Sequence, residues 1–328
     1  MSKPSIIFGV YPWAMVCPGG GERQLLAYKR HLEANHEISV HLFDQWTPNI
    51  EGAGIFHFFS VMPGSFQLCE YMKNRGLKLV ISPNLWVTTD TMYDYPHDQI
   101  WPLMNLADRI IVNSWQEAYS LAEVYGMPID KFRVVYNGVE NGYFEPIVDS
   151  SFLDAFGLKK NGYLLNVANI EPRKNQLKFI ESMLKAETDL KLAIVGHVRD
   201  ESYAQKVFDV GGSKVVHVGA LEYGSTVLKS AFTNSRAFVM PSTLETPSIA
   251  ALEASASRIP VLITKEGSTT EYFDKSAIFV DPNSIESMVH GIKNLLSEEH
   301  PLEPLSHRFS WSNVVNDLYE HYLELLDE

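Results

Sequence analysis

Short apolar runs alternate along the whole chain with stretches whose apolar positions recur every three or four residues. "SIIFGVY", "EISVHLF", "GIFHFFSV", "LKLVIS", "RIIVNS" and "KFRVVYNGV" have strand length and are rich in β-branched and aromatic residues. Between them the helical period appears at residues 22–33, near 66–74, and in "WQEAYSLAEVYG", where Gly126 and Pro128 mark a stop. The second half repeats the scheme with "GYLLNVAN", "LKLAIVG", "KVVHVG", "RAFVMPS", "IPVLIT" and "AIFVD". Its helical stretches are 175–186, 202–210, 224–233 and 247–256, the last with Thr246 as cap and Pro247 at the first helical position. Apolar strands separated by amphipathic helices predict an α/β chain of parallel sheets with helices on both faces.

The segment "NGYFEPIVDSSFLDAFGLKKNG" breaks this rhythm with turn residues, which places a linker near 145–160. Two doubly wound domains follow, over 1–150 and 151–305. Ligands on such sheets bind at the carboxyl ends of the strands, so two facing domains imply a shared cleft. The tail, 306–328, carries Trp311, Val314, Val315, Leu318, Tyr319, Tyr322 and Leu325 at helical spacing, with Ser310 or Ser312 as cap. This helix either completes the second domain or packs across the cleft.

Composition narrows the partners. The chain of 328 residues is long enough for two cores, and its formal net charge of −13 argues against nucleic acid or a polybasic membrane contact as the main partner. Membrane contact is at most peripheral, since no apolar stretch approaches spanning length. The opening "MSKPSIIFGVYPW" is too short in its apolar run for a secretory leader and reads as a buried first strand. Cys17 and Cys69 show neither disulfide-framework nor metal-ligand spacing. A reducing, cytoplasmic setting fits them.

Three segments carry chemistry. "ANIEPRKNQLKFI" follows a strand and opens a helix, so Arg173 and Lys174 stand where helix N–H groups are unpaired, an arrangement suited to phosphate. Two solvated surface cations are the plain alternative. "CPGGGERQLLAY" puts Gly19, Gly20 and Gly21 between a strand and a helix; they let backbone approach an anion, or they form an ordinary turn. The run lacks the full dinucleotide fingerprint and the Lys-Ser/Thr ending of a P-loop.

The third segment, "PSTLETPSIAALEASA", holds Glu245 at a strand end and Glu253 on the following helix, beside the small residues Ala250, Ala256 and Ser257. A carboxylate with room beside it suits a vicinal diol such as a ribose. A spacing of most of two helical turns does not suit a glycosidase acid/base pair. A loop glutamate plus a solvated helical one is the plain alternative.

Together, and in order, these segments resemble the family-4 retaining glycosyltransferases (group 1), whose GT-B fold has two facing Rossmann-like domains. "PGGGERQLLAYKRHL" is similar to the family's Gly-Gly-x-Glu segment, and "NVANIEPRKNQLKFI" to its phosphate-binding turn. "ADRIIVNSWQEAYSLAEVYGMPIDKFRVVYNGVENGYF" resembles the stretch before the linker, and "PSTLETPSIAALEASASRIPVLITKEGSTTEYFDKSAIFVDP" resembles the Glu-x7-Glu segment. The resemblance implies that Lys174, with Arg173, holds the donor diphosphate, and that Gly20 brings backbone N–H groups to it. It implies Glu253 on the ribose, Glu245 facing the sugar, the N–H groups of Ser248 and Ile249 at sugar or phosphate, and Gly196 with 217–222 around the base. Gly19, Glu22, His57 and Asn84 are acceptor-side candidates.

Two departures stand out. Where many members have Glu-Gly-Phe-Gly, this chain has Glu245-Thr246-Pro247-Ser248, and Pro247 has no N–H to offer the sugar. Where many have a histidine after the "LKLVISPNLW" strand, Asn84 stands, and an amide cannot carry a proton as imidazole does. His57, on "GIFHFF", is a nearby polar candidate or a satisfied core histidine.

The implied activity is transfer of a hexose-type sugar, with retention, from a UDP- or GDP-linked donor to a hydroxyl acceptor such as a saccharide or glycolipid, in glycan or glycoconjugate biosynthesis. No Asp-x-Asp motif occurs, so no metal-dependent donor site is visible, and no cofactor beyond the donor is implied. Leaving-group charge would fall to the cations and backbone dipoles. A non-catalytic nucleotide-sugar binder, a GT-B epimerase or phosphorylase, and a glycoside hydrolase remain alternatives. Donor turnover without acceptor marks the epimerase. Nucleotide-induced thermal stabilisation separates the hydrolase.

Overall fold

A computed structural model describes residues 3–16, 19–297 and 303–328; Cys17 lies outside the described residues. The elements in chain order are β1 (Ser5–Gly9), α1 (Gly20–Asn35), β2 (Ser39–Leu42), β3 (Ile55–Phe59), α2 (Phe66–Asn74), β4 (Lys78–Ser82), α3 (His97–Leu106), β5 (Arg109–Val112), α4 (Trp115–Tyr125) and β6 (Phe132–Val134). They continue with α5 (Ser151–Phe156), β7 (Tyr163–Val167), α6 (Gln176–Lys185), β8 (Lys191–Val195), α7 (Glu201–Gly211), β9 (Val215–Gly219), α8 (Thr226–Asn234) and β10 (Ala237–Met240). The chain closes with α9 (Ile249–Ala256), β11 (Val261–Thr264), α10 (Thr269–Phe273), β12 (Ile278–Val280), α11 (Ile285–Leu296) and α12 (Trp311–Asp327).

Every strand expected from the apolar runs forms. They build two six-stranded parallel sheets, ordered β2-β1-β3-β4-β5-β6 and β12-β11-β10-β7-β8-β9. The chain divides into two compact units, one of residues 1–138 with 308–328, the other of 139–307. The second sheet has the doubly wound dinucleotide-binding order, with its direction reversing between β7 and β10; the first reverses between β1 and β3. A crevice opens where the order reverses, because connections from neighbouring strands leave to opposite faces.

Each unit buries its own core. Ile7, Phe56, Leu79, Ile110 and Met104 lie in that of the first unit, and Leu164, Phe179, Ile194, Val239 and Met288 in that of the second. Ser114 caps α4 by accepting from the Glu117 N–H at 3.0 Å, and Gly126 ends it in the left-handed conformation at φ 61°.

The structure moves three expectations. The boundary falls after Gly138 rather than at 150, because Tyr143 is buried edge-on against Phe232 and the Asp149 carbonyl accepts from Ser230 and Asn234 of α8. The helix expected over 306–328 belongs to the first unit and not to the second. It lies on α1 of the first unit, with Trp311 edge-on to Tyr28 at 5.7 Å and Tyr319 stacked on His36 at 4.0 Å. Thr246 does not cap α9. Ser248 does, at φ 80°, with its Oγ accepting from the Ala251 N–H, after a cis Thr246–Pro247 bond. Helices α3, α5, α10 and α11 have no counterpart among the stretches read from the pattern.

Candidate functional site

The second unit brings the anion turn and the first glutamate together. Pro172–Lys174 forms one turn of 3-10 helix after β7, and Glu245 follows β10, so both stand beside the strand reversal. Lys174 Nζ lies 2.6 Å from Glu245 Oε1, and Arg173 Nη1 lies 3.8 Å from the same oxygen. Burial alone would raise the Glu245 carboxyl. The charges of Lys174 and then Arg173, with the hydrogen bond from Lys174, outweigh it and hold Glu245 below the usual carboxylate range.

The backbone fixes this pair more tightly than its side chains do. Thr243 N–H donates to the Arg173 carbonyl at 2.9 Å, so the two loops are joined. Glu245 is clasped from the other side: its N–H donates to Glu266 O at 3.2 Å, and its carbonyl accepts from Ser268 N–H at 3.1 Å. Gly267 between them has φ 94°, and a Cβ there would stand 2.0 Å from the Glu245 carbonyl oxygen. Asn175, left-handed at φ 59°, ends the turn; its Nδ2 donates to the carbonyls of Pro241 and Pro282 at 3.0 and 2.8 Å. Glu171 accepts from Arg173 at 3.5 Å and pairs with Arg199 at 3.7 Å.

Glu253 is on α9 and almost wholly buried, with 1% exposure, so it is not a solvated helix glutamate. Ile249 is the first residue of α9, directly after the capping Ser248. Gly196 follows β8 at a point where any side chain would collide with the Ala168 carbonyl, at 2.1 Å. Its own carbonyl accepts from His217 Nε2 at 3.0 Å, which ties the two segments expected around a base.

The first unit gathers a second set beside its own strand reversal. A cavity of about 350 Å³ opens there, with Gly21, Glu22 and Asn84 in its wall. Glu22 turns back toward the start of α1: Oε2 accepts from Gly19 N–H at 2.6 Å, and Oε1 from Tyr11 OH at 2.9 Å. Gly20 begins α1, with open space where a Cβ would be. Asn84, left-handed at φ 48°, bonds Asn113, which bonds Gln24; the buried Glu117 carboxylate accepts from the N–H groups of Asn113 and Leu85.

His57 does not line this cavity. It is fully buried, stacked on Phe59, with Nδ1 against Tyr322 OH at 2.5 Å and Nε2 against Ser82 Oγ at 2.8 Å. Burial lowers its pKa to about 3, so it stays neutral. Its reading as an acceptor-side group gives way to that of a satisfied core histidine. Sequence reasoning missed Asn175, Gly267, Tyr11 and the Asn113–Glu117 network. For Asn175 a signal existed, an Asn before a helix; for the others the partners are distant in sequence.

Residues 153–311 match the family of group 1 glycosyl transferases, and residues 49–141 match Glycosyltransferase Family 4. The chain belongs to the group 1, family 4 glycosyltransferases. Among relatives of this glycosyltransferase family, D-inositol 3-phosphate glycosyltransferase of Acidothermus cellulolyticus is 27% identical over 68% of this chain and 54% of its own length. O-antigen chain mannosyltransferase RfbU of Salmonella typhimurium is 28% identical over 57% of this chain and 50% of its own length. The matched part thus spans about half the length of these relatives. Anabaena Alr3699/HepE, solved in complex with UDP, superposes with a TM-score of 0.79 at 15% identity, covering 98% of this chain and all of that one. The fold is the two-domain α/β GT-B fold. Among the described residues, no helix is long and apolar enough to cross a membrane.

Proposed function

We propose that this protein transfers a hexose-type sugar, with retention, from a nucleotide-diphosphate sugar to a hydroxyl acceptor in glycan biosynthesis. The observation that carries this reading is the partly buried Lys174–Glu245 pair at the strand reversal of the second sheet, with Arg173 beside it. A departing diphosphate gains negative charge, and fixed cations in a partly desolvated site stabilise it. The Lys174 ammonium has three donors, so it can hold Glu245 and a phosphate oxygen together. Glu245, clasped through its backbone, then sits where the sugar joins the phosphate, while Glu253 takes the ribose hydroxyls. Ser248 and Ile249 offer N–H groups at the start of α9, and the Gly196 turn, tied to His217, lies at the base. The protein's own cations replace a metal in this scheme, and transfer is expected to survive chelator. The relatives support the same class: one is named a mannosyltransferase, and a structural neighbour was solved with UDP and with UDP-glucose. The sparse cysteines agree with a cytoplasmic setting.

The test is a thermal-shift screen with UDP, GDP, ADP and their sugars, on wild type and Lys174→Ala. One nucleotide should stabilise the wild type, and the variant should lose at least tenfold in its affinity, as expected for a charge-assisted phosphate contact. Equal affinity in the variant sinks the phosphate role. The anomeric configuration of the product, read by NMR, decides retention.

A further inference from the structure

The cavity of the first unit has a composition that selects its occupant. Phe59, Val61, Met62, Leu85, Tyr95 and Ile100 give it an apolar wall, while Glu22, Ser60 and Asn84 supply its polar side chains. The hydroxyls of Tyr11 and Tyr95 are engaged by Glu22 and by the Trp86 carbonyl, at 2.9 and 3.0 Å. These tyrosines therefore bond through their hydroxyls to the protein and offer their rings to the cavity. Glu22 and Asn84 are neighbours: a Cβ on Gly21, which adjoins Glu22, would stand 3.1 Å from the Asn84 amide nitrogen. The cavity thus has a polar end at Glu22 and Asn84 and a largely apolar remainder, in which the Ser60 hydroxyl is held by the Met62 N–H at 2.9 Å.

Charge decides further. Among the described residues that line the cavity there is no lysine, arginine or histidine, and the one ionisable carboxyl is that of Glu22. The nearest helix start already has an anion of its own: the Glu22 carboxylate folds back on the first turn of α1 and takes the Gly19 N–H at 2.6 Å. A phosphate here would meet a carboxylate and no cation, which is repulsion built against one class of ligand. Carboxylate oxygens accept more than one hydrogen bond each, so Glu22 can still receive a hydroxyl of a neutral ligand. A volume near 350 Å³ is at the small end of ligand sites and fits one or two rings.

We propose that this cavity binds the acceptor, and that the acceptor is an uncharged, hydroxyl-bearing ring compound with an apolar face, not a phosphomonoester. Its hydroxyl edge meets Glu22 and Asn84, and its apolar face lies on the Val61–Met62 wall. This rests on the reading of the protein as a transferase with a hydroxyl acceptor.

Direct binding tests it without a donor. Ligand-observed NMR on the full chain would compare an aryl glucoside with the same aryl glucoside 6-phosphate, and wild type with Met62→Trp, a change at a half-exposed wall position. The neutral probe is expected to bind at least about tenfold more tightly than its phosphate, and Met62→Trp to weaken it by a similar factor. Equal or tighter binding of the phosphate, no binding of the neutral probe, or an unaffected variant each overturn the inference. Nucleotide binding, followed in the same samples, reports separately on the donor reading.

Discussion

Glu245 and His57 are both buried ionisable side chains, and their surroundings treat them oppositely. Glu245 keeps its charge because two cations face it, whereas His57 meets only hydroxyls and aromatic rings and stays neutral. For His57 the consequence is a pH dependence of stability. The folded protein takes up a proton there only near pH 3, while the unfolded chain does so near the usual 6.5. Between these values the unfolded state binds more protons. This contribution is therefore complete above the usual value and falls as pH drops, by up to about 1.4 kcal/mol per pH unit. Denaturation of the first unit should lose roughly 2 kcal/mol between about pH 7 and about pH 5 from this group. In His57→Gln, which retains a donor and an acceptor, that loss should vanish. Identical pH slopes in the two proteins would remove His57 as the source.

At the scale of elements, left-handed backbone recurs in the loops and at helix ends, and two glycines show how differently such positions behave. Gly126 ends α4 at φ 61° in open space, so Gly126→Ala should cost about 1 kcal/mol, the price of a left-handed alanine. Gly267 has φ 94° and its missing Cβ would strike the Glu245 carbonyl, so Gly267→Ala should cost about 3 kcal/mol or more and displace Glu245. Chemical denaturation ranks the two, and comparable losses would mean that the clasp on Glu245 yields easily. This contrast also marks what the sequence discloses. Strands such as "LKLVIS" and "RAFVMPS" are legible because burial on both faces leaves an unbroken apolar run. Helices α3 and α5 are not, since α3 contains Pro102 and α5 is too short to show a period. In the site, Arg173, Lys174 and Glu245 could be found because a short stretch of sequence holds each feature. The clasp by 266–268, and the seat of His57 between Ser82 and Tyr322, depend on chain brought from a distance. No local pattern encodes them.

At the scale of the molecule, the first unit is assembled from two separated pieces of chain. Trp311, Val314, Val315, Leu318, Tyr322 and Leu325 of α12 are all buried, and full burial of such side chains contributes about 1.5–3 kcal/mol each. Their sum, on the order of 10 kcal/mol, equals the whole stability of an ordinary domain. Removing residues 308–328 should therefore unfold the first unit and spare the second, whose core contains none of them. Limited proteolysis of the 1–307 fragment is expected to leave a resistant piece near 139–307. A resistant piece near 1–138 would contradict this. The same arrangement has a consequence for biosynthesis. At ~5–20 residues per second, a ribosome spends roughly 10–30 seconds between Val139 and His307. Throughout that interval the first sheet and α1 are already made, yet their covering helix does not exist. The half of the protein that begins synthesis first is the half that finishes folding last.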